Sequence, residues 1–261
     1  MTNGGSKDRI GIVLIAVALA LIALTATIAE NLEGRAQKRA ADDVGTTGVP
    51  GSRQWVVLID VTDPLPGDQV QSLDKRFLRL DRSELRRGEY LSVWSLGNYP
   101  EGELRRCFSG RYPGRDANIL FENPRFIEAR CDSLFSSPLA RAVIDVLASR
   151  PSPRTELLDA FRELTELAQL GGTSSPARLL LISDLAENTP ELSLYGGAVV
   201  SDTVWSTSPL RDRLVDLRGV AVEVLEIPRP SDTFRLRAVR RRFWRGYFLA
   251  CGASAVRFVR L

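Results

Sequence analysis

Two aspartates and two threonines stand where a hard divalent cation could be held. Asp60 closes the apolar run Gln54–Ile59 (QWVVLI), and Asp184 follows the apolar run Arg178–Ser183 (RLLLIS). Thr62 comes two residues after Asp60. Thr155 lies in SPRTEL, just ahead of a helical stripe. Carboxylates, hydroxyls and waters are the ligands that Mg²⁺ takes. In an open α/β sheet, ligands bind beyond the carboxyl ends of the strands, so two strand-terminal aspartates far apart in the chain can meet there. Each residue alone also has an ordinary role: an aspartate after a strand holds a turn, and a threonine before a helix caps it.

The surrounding elements must bring these residues together. Continuous apolar runs such as QWVVLI and RLLLIS suit strands buried on both faces of a sheet. Between them, Val70, Leu73, Phe77 and Leu80 recur on one helical face. Tyr90–Leu96 reads as a strand, with Leu104–Phe108 pairing to it across the GNYPEG turn. Leu139, Val143, Val146 and Leu147 mark a helix. Leu157, Phe161, Leu164 and Ala168 mark the next, with Gly171 and Gly172 stopping it. Beyond Asp184 come a loop over 190–207, a short helix around Leu210–Leu217 and a strand over Val220–Ile227. A helical stripe of Leu236, Val239, Phe243 and Tyr247 follows, then a closing strand over Ala255–Leu261.

Strands alternating with helices predict an α/β fold: a doubly wound, mostly parallel sheet flanked by helices, one domain over residues 54–261. An insertion at about 97–137 interrupts it, irregular over 109–137. CFSGRYPGRDAN and LFENPRF are dense in conformationally special residues, as in a loop of defined shape. Such a loop either decorates the face carrying the aspartates or covers a sheet edge.

Composition narrows the chemistry. The chain has 261 residues, 44% of them apolar and 26% charged, enough for a real core. Histidine is absent, which removes every mechanism and zinc site that needs imidazole. Three cysteines cannot make an all-thiolate zinc site. There is no GxxxxGK[ST] phosphate loop and no GxGxxG after a strand. A phosphatase of the DxD type would need a second aspartate where Thr62 stands. A metal-dependent hydrolase would have to activate water with magnesium alone, with no histidine as base.

The three site segments together resemble a known family. DVTDP after a buried strand looks like the DxSxS motif of von Willebrand factor A domains and integrin inserted domains. PRTELLDAF looks like their threonine loop, and LLLISDLAEN like their distal aspartate loop, in the family's order. The resemblance covers residues 54–261, least well near 97–137. It implies a metal-ion-dependent adhesion site, usually holding magnesium, in a non-enzymatic binding module whose cation takes an acidic residue of a partner protein. Carried over, Asp60 and Thr62 match the first and third motif positions, Thr155 the loop threonine and Asp184 the distal aspartate. Two positions depart: Pro64 stands where the family has a serine hydroxyl, and Leu185 where glycine is common. Asp63, beside Pro64, is placed to substitute for the missing ligand or hold a water. The cofactor expected is Mg²⁺ or Mn²⁺. The alternatives are a metal-free module of the same fold binding through its loops, or the hydrolase above.

The N-terminus carries a different signal. Residues Ile10–Ala29 are twenty in number and free of charge, proline and asparagine. At ~1.5 Å per residue they reach ~30 Å, a hydrocarbon core's thickness. A cleaved signal peptide usually has a shorter apolar stretch, so a single-pass anchor in a bacterial inner or plasma membrane is expected, after a leader over 1–9 and before a juxtamembrane helix and linker over 30–53. Lys7 and Arg9 before the span and Arg35, Lys38 and Arg39 after it leave its orientation open. Cys107 and Cys131 can be either bridged or free. Thr233–Leu261 holds eight arginines and no acid, and its 235–245 stretch is either a basic surface for anionic headgroups or the solvated side of an amphipathic helix. Specific nucleic-acid binding is not expected.

Overall fold

The computed structural model describes residues 53–97, 104–116, 123–149, 155–171, 176–189, 192–194, 205 and 209–261. All lie in the second of the two units into which the chain divides, Thr47–Leu261. The expected leader, the membrane span over 10–29 and nearly all of the linker lie outside the described residues.

The two apolar runs form the centre of a sheet. Strand β1 is Gln54–Asp60. Helix α1, Gly67–Arg79, runs into a π turn at Leu80–Glu84 and leads to β2, Tyr90–Leu96. Strand β3 is Leu104–Arg111, followed by helix α2, Pro124–Cys131, a π turn at Asp132–Ser136 and helix α3, Ser137–Leu147. Helix α4, Leu157–Leu167, precedes β4, Ala177–Ser183. A 3₁₀ turn at Pro209–Arg213, strand β5 at Val220–Glu226, helix α5 at Phe234–Ala250 and strand β6 at Ala255–Arg260 complete the order.

The six strands lie in the order β3-β2-β1-β4-β5-β6. Every pairing is parallel except β2 with β3. Along β1 the side chains alternate between two cores. Trp55, Val57 and Ile59 pack with Leu73 and Phe77 of α1 and with Leu139, Val143 and Val146 of α3. Val56 and Leu58 pack with Phe161 and Leu164 of α4 and with Phe243, Trp244, Tyr247 and Phe248 of α5. Burial on both faces is why β1 and β4 read as unbroken apolar runs.

Several boundaries and faces differ from expectation. The irregular insertion contains α2, which Asn123 caps by accepting the Arg125 N–H (3.1 Å), with Pro124 at its first position. Only Cys131 of α2 is buried, so no apolar stripe betrays it. The described part of the insertion builds the sheet edge: Phe135 makes ring contacts with Phe108 and Tyr112 at centroid distances of 5.2 and 5.0 Å. The helix expected over Leu210–Leu217 is one 3₁₀ turn. Helix α4 ends before Gly171, with Gln169 taking a positive φ of 49°.

Helix α5 is turned from the expected stripe. Its buried residues are Arg240, Phe243, Trp244, Tyr247 and Phe248. The arginine-rich stretch is therefore not one basic surface. Arg240 is only 2% exposed, and Arg241 pairs with Glu226, while Arg235, Arg242 and Arg245 face outward. Burying Arg240 requires a carboxylate partner, and Asp232 supplies it at 3.0 Å. Cys107, Cys131 and Cys251 are all free, the first half-buried and the other two buried. Among the described residues no helix is long and apolar enough to cross a membrane.

Candidate metal and partner-binding site

The sheet order reverses at β1. The chain leaves β1 for β2 on one side and later returns to β4 on the other. The crevice between the carboxyl ends of β1 and β4 is thus the topological switch point, where α/β sheets bind ligands. Ile59 lies opposite Ile182. One step further, Asp60 stands beside Ser183, whose hydroxyl donates to Asp60 Oδ2 at 2.7 Å.

Each aspartate divides its two oxygens between a local turn and a distant partner. Asp60 Oδ1 accepts the Thr62 N–H at 3.1 Å and the Thr62 hydroxyl at 2.6 Å. Its Oδ2 takes Ser183. Asp184 Oδ1 accepts the Ala186 N–H at 2.9 Å, and its Oδ2 accepts Nε–H of Arg229. One oxygen of each thus holds a turn and the other ties the turn to a distant segment.

Thr155 does not cap α4. Its hydroxyl donates to the Thr62 hydroxyl oxygen at 2.8 Å, across 93 residues. The loop carrying it is tied to the distal one, since the Asn188 N–H donates to the Thr155 carbonyl at 2.9 Å. Thr155, Thr62, Asp60 and Ser183 therefore form one hydrogen-bonded line across three chain segments. Asp60, Thr62, Thr155 and Asp184 are all buried. Asp63 stands apart. Its side chain is 48% exposed, and its Oδ2 pairs with Nη2 of Arg229.

Leu185, where glycine was the family expectation, has φ 62°. The backbone keeps the left-handed turn although the residue carries a Cβ, at a cost of ~1–2 kcal/mol. Two things hold it there. The side chain is fully buried in the core shared with α4 and α5, and its carbonyl accepts the Trp244 indole N–H at 3.0 Å.

Electrostatics in the crevice are those of crowded acids. Burial raises the Asp60 carboxyl above its ordinary range, opposed by the hydrogen bonds from Thr62 and Ser183 and by the charge of Arg229. Burial, then the nearby charge of Asp60, pushes Asp184 up to about 7. Burial, then the like charge of Arg240, lowers Arg229.

Two oxygens of carboxylates and two of hydroxyls suit a hard cation in kind. Among the described residues no group of three or more Asp, Glu or Cys is placed to hold a metal ion, so a cation here would lean on Thr62 and Thr155. Pro64 adds no hydroxyl. Arg229, which the sequence did not single out, already shares Asp63 and Asp184. Its one sequence signal is its place, between Pro228 and Pro230 just past β5. Ser183 was likewise legible only as the last strand residue. A cavity of about 160 Å³ opens beside this group, lined by Asp60, Thr62, Asp63, Asp184, Gln69 and Arg229 among others. No described residue of the insertion lines it.

No protein-family model matches the chain, and no curated protein does. Solved structures similar to it include the ArnB paralog VWA2 from Sulfolobus acidocaldarius, with TM-score 0.44 and 11% identity over 82% of this chain and 42% of that one. The SpRpn10 VWA domain has TM-score 0.38 and 8% identity over 82% and 88%. The conserved hypothetical protein BatB from Bacteroides thetaiotaomicron has TM-score 0.38 and 14% identity over 81% and 90%. The chain thus spans about two fifths of the length of VWA2 and most of the length of the other two. Its own sheet order and two-sided helical cover are those of a doubly wound α/β fold, the architecture expected with the von Willebrand A resemblance.

Proposed function

We propose that this chain is a non-enzymatic protein-binding or assembly module, anchored in a membrane through residues 10–29. Its recognition face is the loop face beyond β1 and β4. In this reading Asp60, Thr62, Thr155 and Asp184 hold Mg²⁺ or Mn²⁺, with Asp63 in support, and the cation takes an acidic residue of the partner. Such an interaction is one of charge and geometry and needs no nucleophile. The observation that carries the reading is the line Thr155–Thr62–Asp60–Ser183, which gathers hydroxyls and a carboxylate at the switch point. A metal-free module binding through the same loops is the second reading. Arg229 favours it, because a guanidinium already supplies positive charge to Asp63 and Asp184.

The test is the melting temperature of the purified full-length chain in detergent, with EDTA and with rising Mg²⁺ or Mn²⁺. An Asp60→Ala, Asp184→Ala double variant is run beside it. A ligand that binds only the native state stabilises it by ~2.7 kcal/mol at a hundred times its Kd, which is a rise of several degrees. The rise is expected in the wild type and not in the variant. A rise in both chains, or in neither while both fold, leaves only the metal-free reading.

A further inference from the structure

We infer that Arg229 is the resident cation of the loop face, bridging Asp63 and Asp184, and that a divalent ion gains these carboxylates only by displacing it. The inference rests on the cation reading of the same residues.

The Arg229 guanidinium holds one oxygen of each acid: Nη2 pairs with Asp63 Oδ2, and Nε–H donates to Asp184 Oδ2. These are oxygens that an ion in the cavity would need. Asp60 Oδ1 is already taken by the N–H and hydroxyl of Thr62, and its Oδ2 accepts Ser183. Arg240, the other cation nearby, is directed elsewhere. It lies on Asp232 and donates to the main-chain carbonyl of Asp184 at 3.4 Å. A guanidinium and a divalent ion a few ångströms apart repel, so the two positive groups exclude each other from one small cavity.

The backbone beneath Arg229 is fixed, which confines any exchange to its side chain. Pro228 and Pro230 lock φ on either side of it. The Arg229 N–H donates to Asp232 Oδ2 at 3.4 Å, and its carbonyl accepts the Asp232 N–H at 3.1 Å. Gln69 of α1 donates to the Pro228 carbonyl at 2.8 Å, and Ile227 is bonded to the Ser183 carbonyl at 3.0 Å. The guanidinium itself lies at the rim, with its side chain 16% exposed, so it can leave toward solvent. Gln69, which lines the same cavity, has an Oε1 with no hydrogen-bond donor among the described residues.

The proposal is tested by titrating Mn²⁺ into the full-length wild type and into Arg229→Gln while reading the melting temperature. The midpoint of the cation-dependent rise should fall at least tenfold lower in the variant. In parallel, the Arg229 Nε–H resonance of the ¹⁵N-labelled wild type, assigned by its absence in Arg229→Lys, should be slow to exchange in EDTA. It should be lost on adding Mg²⁺. This second measurement decides the matter if Arg229→Gln does not fold. An equal or higher midpoint in Arg229→Gln, or a resonance unmoved while Mg²⁺ raises the wild-type melting point, overturns the displacement and leaves the cation reading standing. No cation response in either chain removes the cation reading and this proposal with it.

Discussion

Glu187 is the most deeply buried acid near the site, and it is used structurally. It has no exposed surface, and its Oε2 accepts the Leu158 N–H at 3.3 Å at the start of α4. It thus fixes the helix that follows the Thr155 loop, satisfying one of the donors that every helix N-terminus leaves open. Burial pushes its carboxyl up to about 8, against the opposing pull of the Leu158 and Leu157 N–H groups. An acid whose folded value is raised keeps its proton in the native state while the unfolded chain releases it. Its contribution is full below about 4.5 and is lost as pH rises through about 8. Glu187→Gln keeps an acceptor for Leu158 and removes the titration. The variant should therefore melt higher than the wild type at pH 9, by an amount worth roughly a few kcal/mol, with the gap closing toward pH 4.5. Asp184 titrates in both chains, so the difference between their melting curves isolates Glu187. A gap that stays constant from pH 5 to pH 9 would exclude this role.

At the scale of elements, α5 is held to the loop face by a buried ion pair. Arg240 and Asp232 each have side chains 2% exposed, with Nη1 at 3.0 Å from Oδ1. Arg240 also donates Nε–H to the Leu194 carbonyl at 3.1 Å. One arginine thereby joins the helix, the loop before it and the connection that follows β4. Removing one member of such a pair leaves the other charge buried without its counter-ion, which costs ~3–5 kcal/mol. Asp232→Ala should lower stability in urea by about that amount. Asp232→Leu with Arg240→Met should recover most of the loss, because replacing both charges leaves neither stranded. A loss under about 1 kcal/mol in the single variant would mean that the pair is solvated and worth no more than a surface bridge. Of the two readings of 235–245, a basic surface does not extend to Arg240, which is buried. A run of arginines gives no sign of which one turns inward, and the acid that accepts Arg240 lies two helical turns away, before α5 begins.

At the scale of the whole molecule, the sheet grades from a dry centre to wetter edges. From Trp55 onward β1 is buried without interruption, and β4 is buried at every residue but Arg178. Strand β6 at one edge has no buried residue, and β3 at the other has only Leu104. Local opening needs little energy where few apolar contacts are lost. Amide hydrogen exchange should therefore be slowest in β1 and β4 and fastest among the strands in β3 and β6. If β6 proved as protected as β1, something beyond the described residues would have to be covering that edge.

The sequence by itself determined the architecture, because the signals that specify it are local. Unbroken apolar runs mark strands covered on both sides, and apolar residues three or four apart mark helices packed on one face. Their alternation leaves a mostly parallel sheet as the natural outcome. Where that local signal was weak, the reading was weak too: α2 exposes Phe126 and buries only Cys131, and its start shows only in the Asn123–Pro124 pair. Asp60, Thr62, Thr155 and Asp184 were legible because they sit at fixed offsets from strand ends and a helix start. Ser183, Arg229 and the Arg240–Asp232 pair were not, and only the tertiary structure decided them. A side chain's polar partner depends on which strand ends and loops stand next to one another, and the β1–β4 register and the Pro228–Pro230 loop set that across more than forty residues of chain in each case but Arg240, whose inward turn depends on how α5 rolls against the sheet. The same physics leaves Leu185 in a left-handed turn: its neighbours in the core and the Trp244 indole outweigh the local preference for glycine.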